Sequence, residues 1–236
     1  MHYAETPPPP ELDGLVEAVW TLDVGASDWV DHQAVPDGCI ELIRRHSGRS
    51  VWRREQPELF VTGLALRPAV LRFSGDARFT GIRLWPWAWH ALGGERCSEF
   101  ADDWRLVRGD SPLATLLAGD GDPMPRLGAA FREAAPPPLA AIRHATSVTG
   151  LARFTGLSER QLQRICARET GMAPRSYLRL LRFRTAVAGV QHAGALLAET
   201  AAASGYADQA HMTREFKSLG GLPPARARKH AKGPFI

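Results

Sequence analysis

Cysteine is scarce in this chain of 236 residues, and its three cysteines, Cys39, Cys97 and Cys166, lie far apart. This spacing predicts neither a disulfide framework nor a zinc-binding cysteine pair, and it is typical of reduced thiols in a cytoplasmic protein. No apolar run approaches the length of a membrane span, and the polar, proline-rich segment 1–10 lacks the pattern of a secretory signal. We therefore expect a cytoplasmic protein with no membrane partner.

Signatures of common catalytic sites are also missing from the sequence. It contains no glycine-rich phosphate loop and no nucleophile elbow. His32, Asp37, Cys39 and Glu41 are metal-ligand residue types, but no repeated spacing among them defines a coordination shell. A turn followed by a half-buried strand is the favoured interpretation of that stretch. We predict no enzyme activity, no metal site and no cofactor.

Charge is distributed unevenly along the chain, whose net charge is +4. Residues 140–236 carry 15 lysines and arginines against five acidic residues, a net charge of +10. Residues 1–139 carry 14 against 20, a net charge of −6, and the two parts together give the total. The split indicates that the C-terminal part alone meets a polyanion.

The basic part contains one short pattern twice, with an offset of 50 residues. Each copy reads apolar-x-Arg-x-apolar-x4-Gly-x2-Pro, and the copies are Leu162, Arg164, Cys166, Gly171, Pro174 and Met212, Arg214, Phe216, Gly221, Pro224. Each copy predicts a helix, a tight turn at Gly156 or Gly205, and a second helix that begins after Ser158 or Asp208. This is the anatomy of a helix-turn-helix unit, whose second helix enters a DNA major groove.

Three segments carry a more specific resemblance. Residues 157–164 (Leu-Ser-Glu-Arg-Gln-Leu-Gln-Arg) and 169–177 resemble the first half of an AraC-type (AraC/XylS) DNA-binding domain, and residues 205–217 resemble the second half. Cys166 and Met212 depart from the family, which usually has an aromatic residue there. The resemblance implies a bacterial-type transcription factor that binds double-stranded DNA, and RNA polymerase as a partner if it activates transcription.

Ahead of the repeat, several short apolar stretches with turn residues between them predict an antiparallel sheet or small barrel. Predicted strands are Leu15–Leu22 (strand at its end), Cys39–Ile43, Leu59–Gly63, Ala69–Phe73 and Phe79–Leu84; predicted helices are Trp87–Leu92, Pro112–Leu117 and Pro125–Ala134. Segment 7–10 is predicted to be an extended arm. The fold class is therefore α+β, with a β-rich N-terminal domain followed by an all-α domain of two helix-turn-helix motifs joined by a linker helix.

Three prolines in succession at 136–138 mark the expected domain border. We predict a sensor or dimerisation domain at 1–134, a proline-rich linker at 135–139 and the double helix-turn-helix domain at 140–236. Segments 36–42 and 63–81 resemble the β-rich domain that precedes some AraC-type domains, which implies a small-molecule effector or a homodimer. A helix at 174–190 is expected to hold the recognition helices about 34 Å apart, one turn of DNA.

Helical spacing separates core-facing from solvent-facing side chains in the two recognition helices. The residues predicted to contact bases, which the resemblance also implies, are Arg160, Gln163, Arg164, Gln209, His211 and Arg214. The residues predicted to contact phosphates are Arg168, Arg175, Arg179, Thr213, Lys217 and Arg226. Thr213 and Ala210 are also available for thymine methyl groups.

The sequence Trp-Pro-Trp-Ala-Trp at 85–89 has two interpretations: it belongs to the core, or it lines an effector pocket. The effector-pocket residues under the second interpretation are Trp20, Trp85, Trp87 and Trp89. Two alternatives to an effector-controlled regulator stay open at this stage. One is a DNA-targeted repair enzyme, although such enzymes carry clustered zinc-binding cysteines. The other is a constitutive DNA-binding protein that has a dimerisation domain and no ligand.

Overall fold

The computed structural model of the chain describes residues 1–119, 121–192 and 194–230, except for the side chains of residues 229 and 230. The strands all lie in the first half of the chain, and the second half is helical in the part that the structure describes. The predicted fold class, a β-rich region followed by two helix-turn-helix units, is confirmed. Among the described residues, no helix combines the length and the apolar character that crossing a membrane would need.

The strands form two antiparallel sheets that face each other. In spatial order the larger sheet contains β1 (His2–Thr6), β2 (Val16–Asp23), β9 (Arg78–Leu84), β4 (Ile40–Ser47), β7 (Leu59–Thr62) and β10 (Trp104–Leu106). The smaller sheet contains β3 (Val30–Ala34), β8 (Ala69–Phe73), β5 (Ser50–Trp52) and β6 (Arg54–Glu55). Aromatic side chains between the sheets, Trp20, Trp52, Phe60, Phe73, Phe79 and Trp104, form one buried cluster.

Short helices follow the sandwich and lead into the basic region. The α-helices are α1 (Pro86–Ala91), α2 (Pro112–Leu116), α3 (Met124–Ala130), α4 (Val148–Thr155), α5 (Glu159–Thr170), α6 (Pro174–Gln191), α7 (Leu197–Ala203), α8 (Gln209–Gly220) and α9 (Pro224–His230). Three 3-10 helices lie at Pro10–Leu12, Cys97–Glu99 and Pro138–His144. The first helix-turn-helix unit is α4 with α5, the second is α7 with α8, and α6 joins the two.

Two predicted segments differ from the structure. The helix expected to reach Ala134 ends at Ala130, because the N–H of buried Phe131 bonds the carbonyls of both Leu127 and Ala129 and tightens the last turn. The arm expected at 7–10 is not extended to its end, because a 3-10 helix begins at Pro10 and places Leu12 in the core at 1 % exposure.

The largest buried cluster joins residues from both halves of the chain. It runs from strand residues such as Ile40 and Leu84 through Trp87 of α1 to Leu162 of α5 and Tyr177 of α6. Pro136 to Pro138, the predicted border, lie beside this shared cluster. The second helix-turn-helix unit has its own cluster around Phe183 and Phe216, to which the sandwich adds Val35. The helical region therefore packs directly against the sandwich.

Candidate nucleic-acid interface

Helix α5 begins where its sequence predicts it. Ser158 caps the helix by accepting a hydrogen bond from the Gln161 N–H at 3.3 Å, and the Gln161 side chain accepts one from the Ser158 N–H at 2.8 Å. This reciprocal capping box satisfies two donors that would otherwise face solvent. Gly171 ends the helix with φ of 72°, in the left-handed region that favours glycine.

Helix α8 is built in the same way. Asp208 caps it by accepting a hydrogen bond from the His211 N–H at 2.6 Å, and Gly221 ends it with φ of 71°. Met212 and Phe216 are fully buried, as are their counterparts Leu162 and Cys166 in α5. Because equivalent positions face the core in both helices, Arg164 and Arg214 point to equivalent outer faces.

Five of the six side chains predicted to contact bases are exposed: Arg160, Gln163, Arg164, Gln209 and Arg214. Their side chains make no hydrogen bond or ion pair within the part of the chain that the structure describes. The sixth, His211, is half-buried, and its ring packs edge-on against Tyr206 with centroids 5.2 Å apart. Free guanidinium and amide groups on an exposed helix face are suited to hydrogen bonding with base edges.

The side chains predicted to contact phosphates fall into two groups. Arg175, Lys217 and Arg226 are exposed and have no ion-pair partner among the described residues. The other three have partners within the fold: Arg168 pairs with Glu169, Arg179 pairs with buried Glu215 and donates to Ser218, and Thr213 donates to the Gln209 carbonyl at 2.8 Å. The pair between Arg179 and Glu215 ties α6 to α8, so this arginine also has a structural role.

An open groove of about 1250 Å³ lies between the two helix-turn-helix units, along α6. Its described lining includes Gln163, Arg175 and Arg179, and also Arg143 and Arg182, which were not among the predicted contacts. Glu159 is the one carboxylate in that described lining. The groove thus connects the exposed faces of the two units through a surface that is mostly cationic.

The N-terminal half of the chain contacts the ends of both recognition helices, through the 3-10 helix Cys97–Glu99 and through β3. A Cβ built on Gly171 would lie 2.9 Å from Ser98 Cβ, and one built on Gly221 would lie 2.8 Å from Gln33 Nε2. Gln33 also donates a hydrogen bond to the Gly220 carbonyl at 2.6 Å. Neither Gln33 nor Ser98 has a sequence signature, because these contacts bring together residues about 190 and about 70 positions apart.

The linker helix α6 rests on the turn that precedes β4. Tyr177 is fully buried and donates a hydrogen bond to the Gly38 carbonyl at 2.7 Å, and Gly38 lies against Leu180 and Leu181. Farther along α6, Arg184 pairs with Glu17 of β2 and lies 3.7 Å from the Cys39 sulfur. The turn before β4 therefore contacts α6, the helix that joins the two helix-turn-helix units and fixes their relative positions.

The four tryptophans assigned to an effector pocket lie in two different places. Trp20 lines a cavity of about 80 Å³ between the sheets. Trp85, Trp87 and Trp89 are buried in the cluster shared with α5 and α6 and do not line that cavity. The Trp85 ring stacks on Trp87 and is flanked by Arg184, whose guanidinium lies 5.2 Å from the ring centre.

Two family models match the chain. One, described as a helix-turn-helix domain, matches residues 151–230, and the other, a domain of unknown function (DUF6597), matches residues 4–104. ToxT from Vibrio cholerae is 10 % identical and has a TM-score of 0.51, with 97 % of this chain and 98 % of that chain covered. The chain thus contains a helix-turn-helix domain, and its fold resembles that of ToxT.

Two further comparisons concern AraC-type and ToxT structures. A transcriptional regulator from Chromobacterium violaceum, described as containing an AraC-type DNA-binding domain, is 24 % identical over 39 % of this chain and 81 % of that one, with a TM-score of 0.35. A structure of ToxT described as bound to an unsaturated fatty acid is 10 % identical over 88 % of this chain and 92 % of that one, with a TM-score of 0.47. No curated protein sequence matches this chain.

The described residues were also searched for groups of side chains that could bind a metal. Within the described ranges, no group of three or more histidine, cysteine, aspartate or glutamate side chains is arranged to hold a metal ion. The three cysteines are buried and unpaired. Burial raises the pKa of Cys97 to about 12 and that of Cys166 to about 11, so these thiols stay protonated near neutral pH.

Proposed function

We propose that the protein is a sequence-specific transcription regulator whose helices α5 and α8 read two successive major-groove segments of one DNA face. The observation that carries this proposal is the matched pair of exposed helix faces, on which Arg160, Gln163, Arg164, Gln209 and Arg214 lack partners among the described residues. Unpaired arginine and glutamine side chains suit guanine and adenine edges. His211 completes the proposed base-reading set.

Phosphate contacts are proposed on either side of these faces. Arg175, Lys217 and Arg226 are free to neutralise the backbone, and Arg168, Arg179 and Thr213 would adjust their present contacts to do so. The cationic groove along α6 supports this path for the DNA backbone. We also propose the division into residues 1–134, a linker at 135–139 and a DNA-binding domain at 140–236, of which residues 231–236 lie outside the described part.

We further propose that a small-molecule effector in the sandwich controls DNA binding. Val35, Asp37 and Cys39 line the cavity between the sheets. The same short segment contacts α6, through Val35 beside Phe183, Gly38 beneath Tyr177 and Cys39 beside Arg184. Since α6 joins the two helix-turn-helix units, a ligand that moves this segment acts on both recognition helices.

The test is selection of bound fragments from genomic DNA with the full chain and with the double variant Arg164→Ala, Arg214→Ala. We expect enriched sites with two readable segments about one helical turn apart, and loss of that enrichment in the double variant. The matched control is Arg96→Ala, Arg153→Ala, which removes two exposed arginines that lie outside α5 and α8. Enrichment that survives the first double variant would refute the assigned reading faces.

A further inference from the structure

The cavity between the sheets has aromatic walls and one polar end. Five aromatic rings line it, from Trp20, Trp52, Phe60, Phe73 and Phe79. The polar side chains in its lining include Asp37, Glu41 and Gln56. At about 80 Å³ it is roughly half the size of the cavities of about 150 Å³ that hold benzene, so it suits a compact ligand of about four heavy atoms.

The two carboxylates at the polar end belong to a buried cluster with too few cations. Arg83, which is 4 % exposed, lies 3.0 Å from Glu41 and 3.1 Å from Asp37, and it also pairs with Glu5 and Glu17. Arg184 supplies the second guanidinium, through Glu17. Glu5 is exposed, so three partly buried carboxylates, Glu17, Asp37 and Glu41, share two guanidinium groups. If all three are ionised, the partly buried part of the cluster lacks one positive charge, and unbalanced buried charge is costly.

Protons reduce this imbalance in the empty protein. Burial, reinforced by the neighbouring Asp37 carboxylate, raises the pKa of Glu41 to about 7, and burial also raises the pKa of Asp37. The titratable and charged groups around Glu41, from all elements packed against it, are Tyr3, Glu5, Glu17, Asp37, Cys39, Arg83, Tyr177 and Arg184. A cation at the cavity end would replace the proton on Glu41.

Gln56 adds a polar side chain to the cavity wall. Its side chain is 97 % buried (3 % exposed), lines the cavity, and makes no hydrogen bond within the described residues. The Gln56 carbonyl oxygen is therefore available to accept an N–H from a bound molecule.

We propose that this cavity binds a small organic cation, an alkylammonium of about four heavy atoms, with its charged end at Asp37 and Glu41 and its alkyl part among the aromatic rings. The inference rests on the proposed function, in which this cavity is the effector site. The aromatic rings bury the alkyl part, and the ammonium supplies positive charge that the two carboxylates lack. An anionic ligand of the same size would meet carboxylates at the polar end and would be repelled.

Three probes of similar size and shape isolate the effect of charge: isopropylammonium, isopropanol and acetate, each with four heavy atoms. Binding to the full chain is followed by calorimetry and by tryptophan fluorescence at constant ionic strength. The ligand concentration is varied from about 50 µM upwards, because a ligand of four heavy atoms cannot have a dissociation constant much below that value. We expect isopropylammonium to bind at least tenfold more tightly than isopropanol, and acetate to show no saturable binding. Equal or tighter binding of isopropanol or acetate would overturn the proposal.

The affinity for isopropylammonium should also depend on pH. With a pKa of about 7 at Glu41, the ionised fraction of that carboxyl rises from about one tenth at pH 6.0 to about three quarters at pH 7.5. The affinity is therefore expected to rise about eightfold between those pH values. An affinity that is unchanged or lower at pH 7.5 would count against Glu41 as the countercharge.

Glu41→Gln keeps an oxygen for the Trp20 N–H and removes the charge, so it is expected to weaken isopropylammonium binding at least tenfold and to abolish the pH dependence. The matched control is Glu55→Gln, an exposed carboxyl outside the cavity, which should bind as the parent does. DNA selection on the same protein, run once without ligand and once with saturating isopropylammonium, separates the two proposals. Enrichment in either selection without measurable ammonium binding refutes this inference alone, and ammonium binding without enrichment in both selections refutes the regulator proposal alone.

Discussion

The arginines of the sandwich and those of the recognition helices are used differently. Eight sandwich arginines form ion pairs with carboxylates: Arg44, Arg49, Arg54, Arg67, Arg72, Arg83, Arg105 and Arg108. On α5 and α8, Arg160, Arg164 and Arg214 have no such partner in the described chain, and Arg168 is the exception. A guanidinium neutralised by its neighbour contributes little field at a distance. The comparison shows that the positive field of a surface depends on whether its arginines are paired with carboxylates, as well as on how many arginines it has.

Removing Arg83 should produce the largest effect, because this buried guanidinium serves several carboxylates at once. Arg83→Met leaves Glu5, Asp37 and Glu41 without their cationic partner, and we expect the free energy of unfolding to fall by about 3–5 kcal/mol. Urea unfolding, followed by tryptophan fluorescence, measures this change. Arg108→Ala is the control, since its pair with Asp110 is largely exposed and should be worth less than about 1 kcal/mol. Similar losses in both variants would contradict the distinction drawn between buried and exposed pairs.

A smaller effect on stability is expected from Glu41, and it depends on pH. The pKa of Glu41 is raised by burial from 4.5 to about 7, so between these values the unfolded chain ionises this carboxyl while the folded protein retains the proton. The contribution of Glu41 to stability is therefore fully present below pH 4.5 and is lost as the pH rises towards 7, by roughly 3 kcal/mol. Unfolding curves of the parent and of Glu41→Gln across this range test the sign. A parent that gains stability relative to Glu41→Gln over the same range would refute it.

The smallest effect concerns an unpaired arginine of the proposed reading face. Arg214→Lys keeps the charge but loses the planar, two-pronged donor geometry, so discrimination at one base pair should fall by about 1 kcal/mol. The salt dependence of DNA binding should stay the same, because the number of neutralised phosphates does not change. Fluorescence anisotropy at several salt concentrations, with matched and single-base-changed sites, measures both quantities. A reduced salt slope with unaltered discrimination would reassign Arg214 to the phosphates.

Local signals in the sequence were sufficient for the helical half. The caps at Ser158 and Asp208, the left-handed glycines and Pro174 at the start of α6 act within a few residues, and the observed helices begin and end there. Strands with clear apolar content, such as β4, β7 and β9, were also predicted from short stretches. The same short range explains why the recognition helices were assigned without knowledge of their surroundings.

The missed elements depend on partners that are distant in sequence. Strands β1 and β3 lie at sheet edges, are mostly polar and acquire their structure by pairing with β2 and β8. The cluster around Arg83 gathers residues from β1, β2, β4, β9 and α6, and no short stretch contains its pattern. Gln56 gives no sequence signal at all, because only the closed sandwich buries its amide.

Gly171 and Gly221 occupy the same place in the two copies of the repeat, and the N-terminal half of the chain touches both, through Ser98 of a 3-10 helix and through Gln33 of β3. The span between the two recognition helices is thus fixed twice, once along α6 and once through the N-terminal half. Close-packed interiors transmit small displacements with little loss. Under the proposed function, the DNA repeat length that this protein matches is set in part by a domain that need not touch DNA.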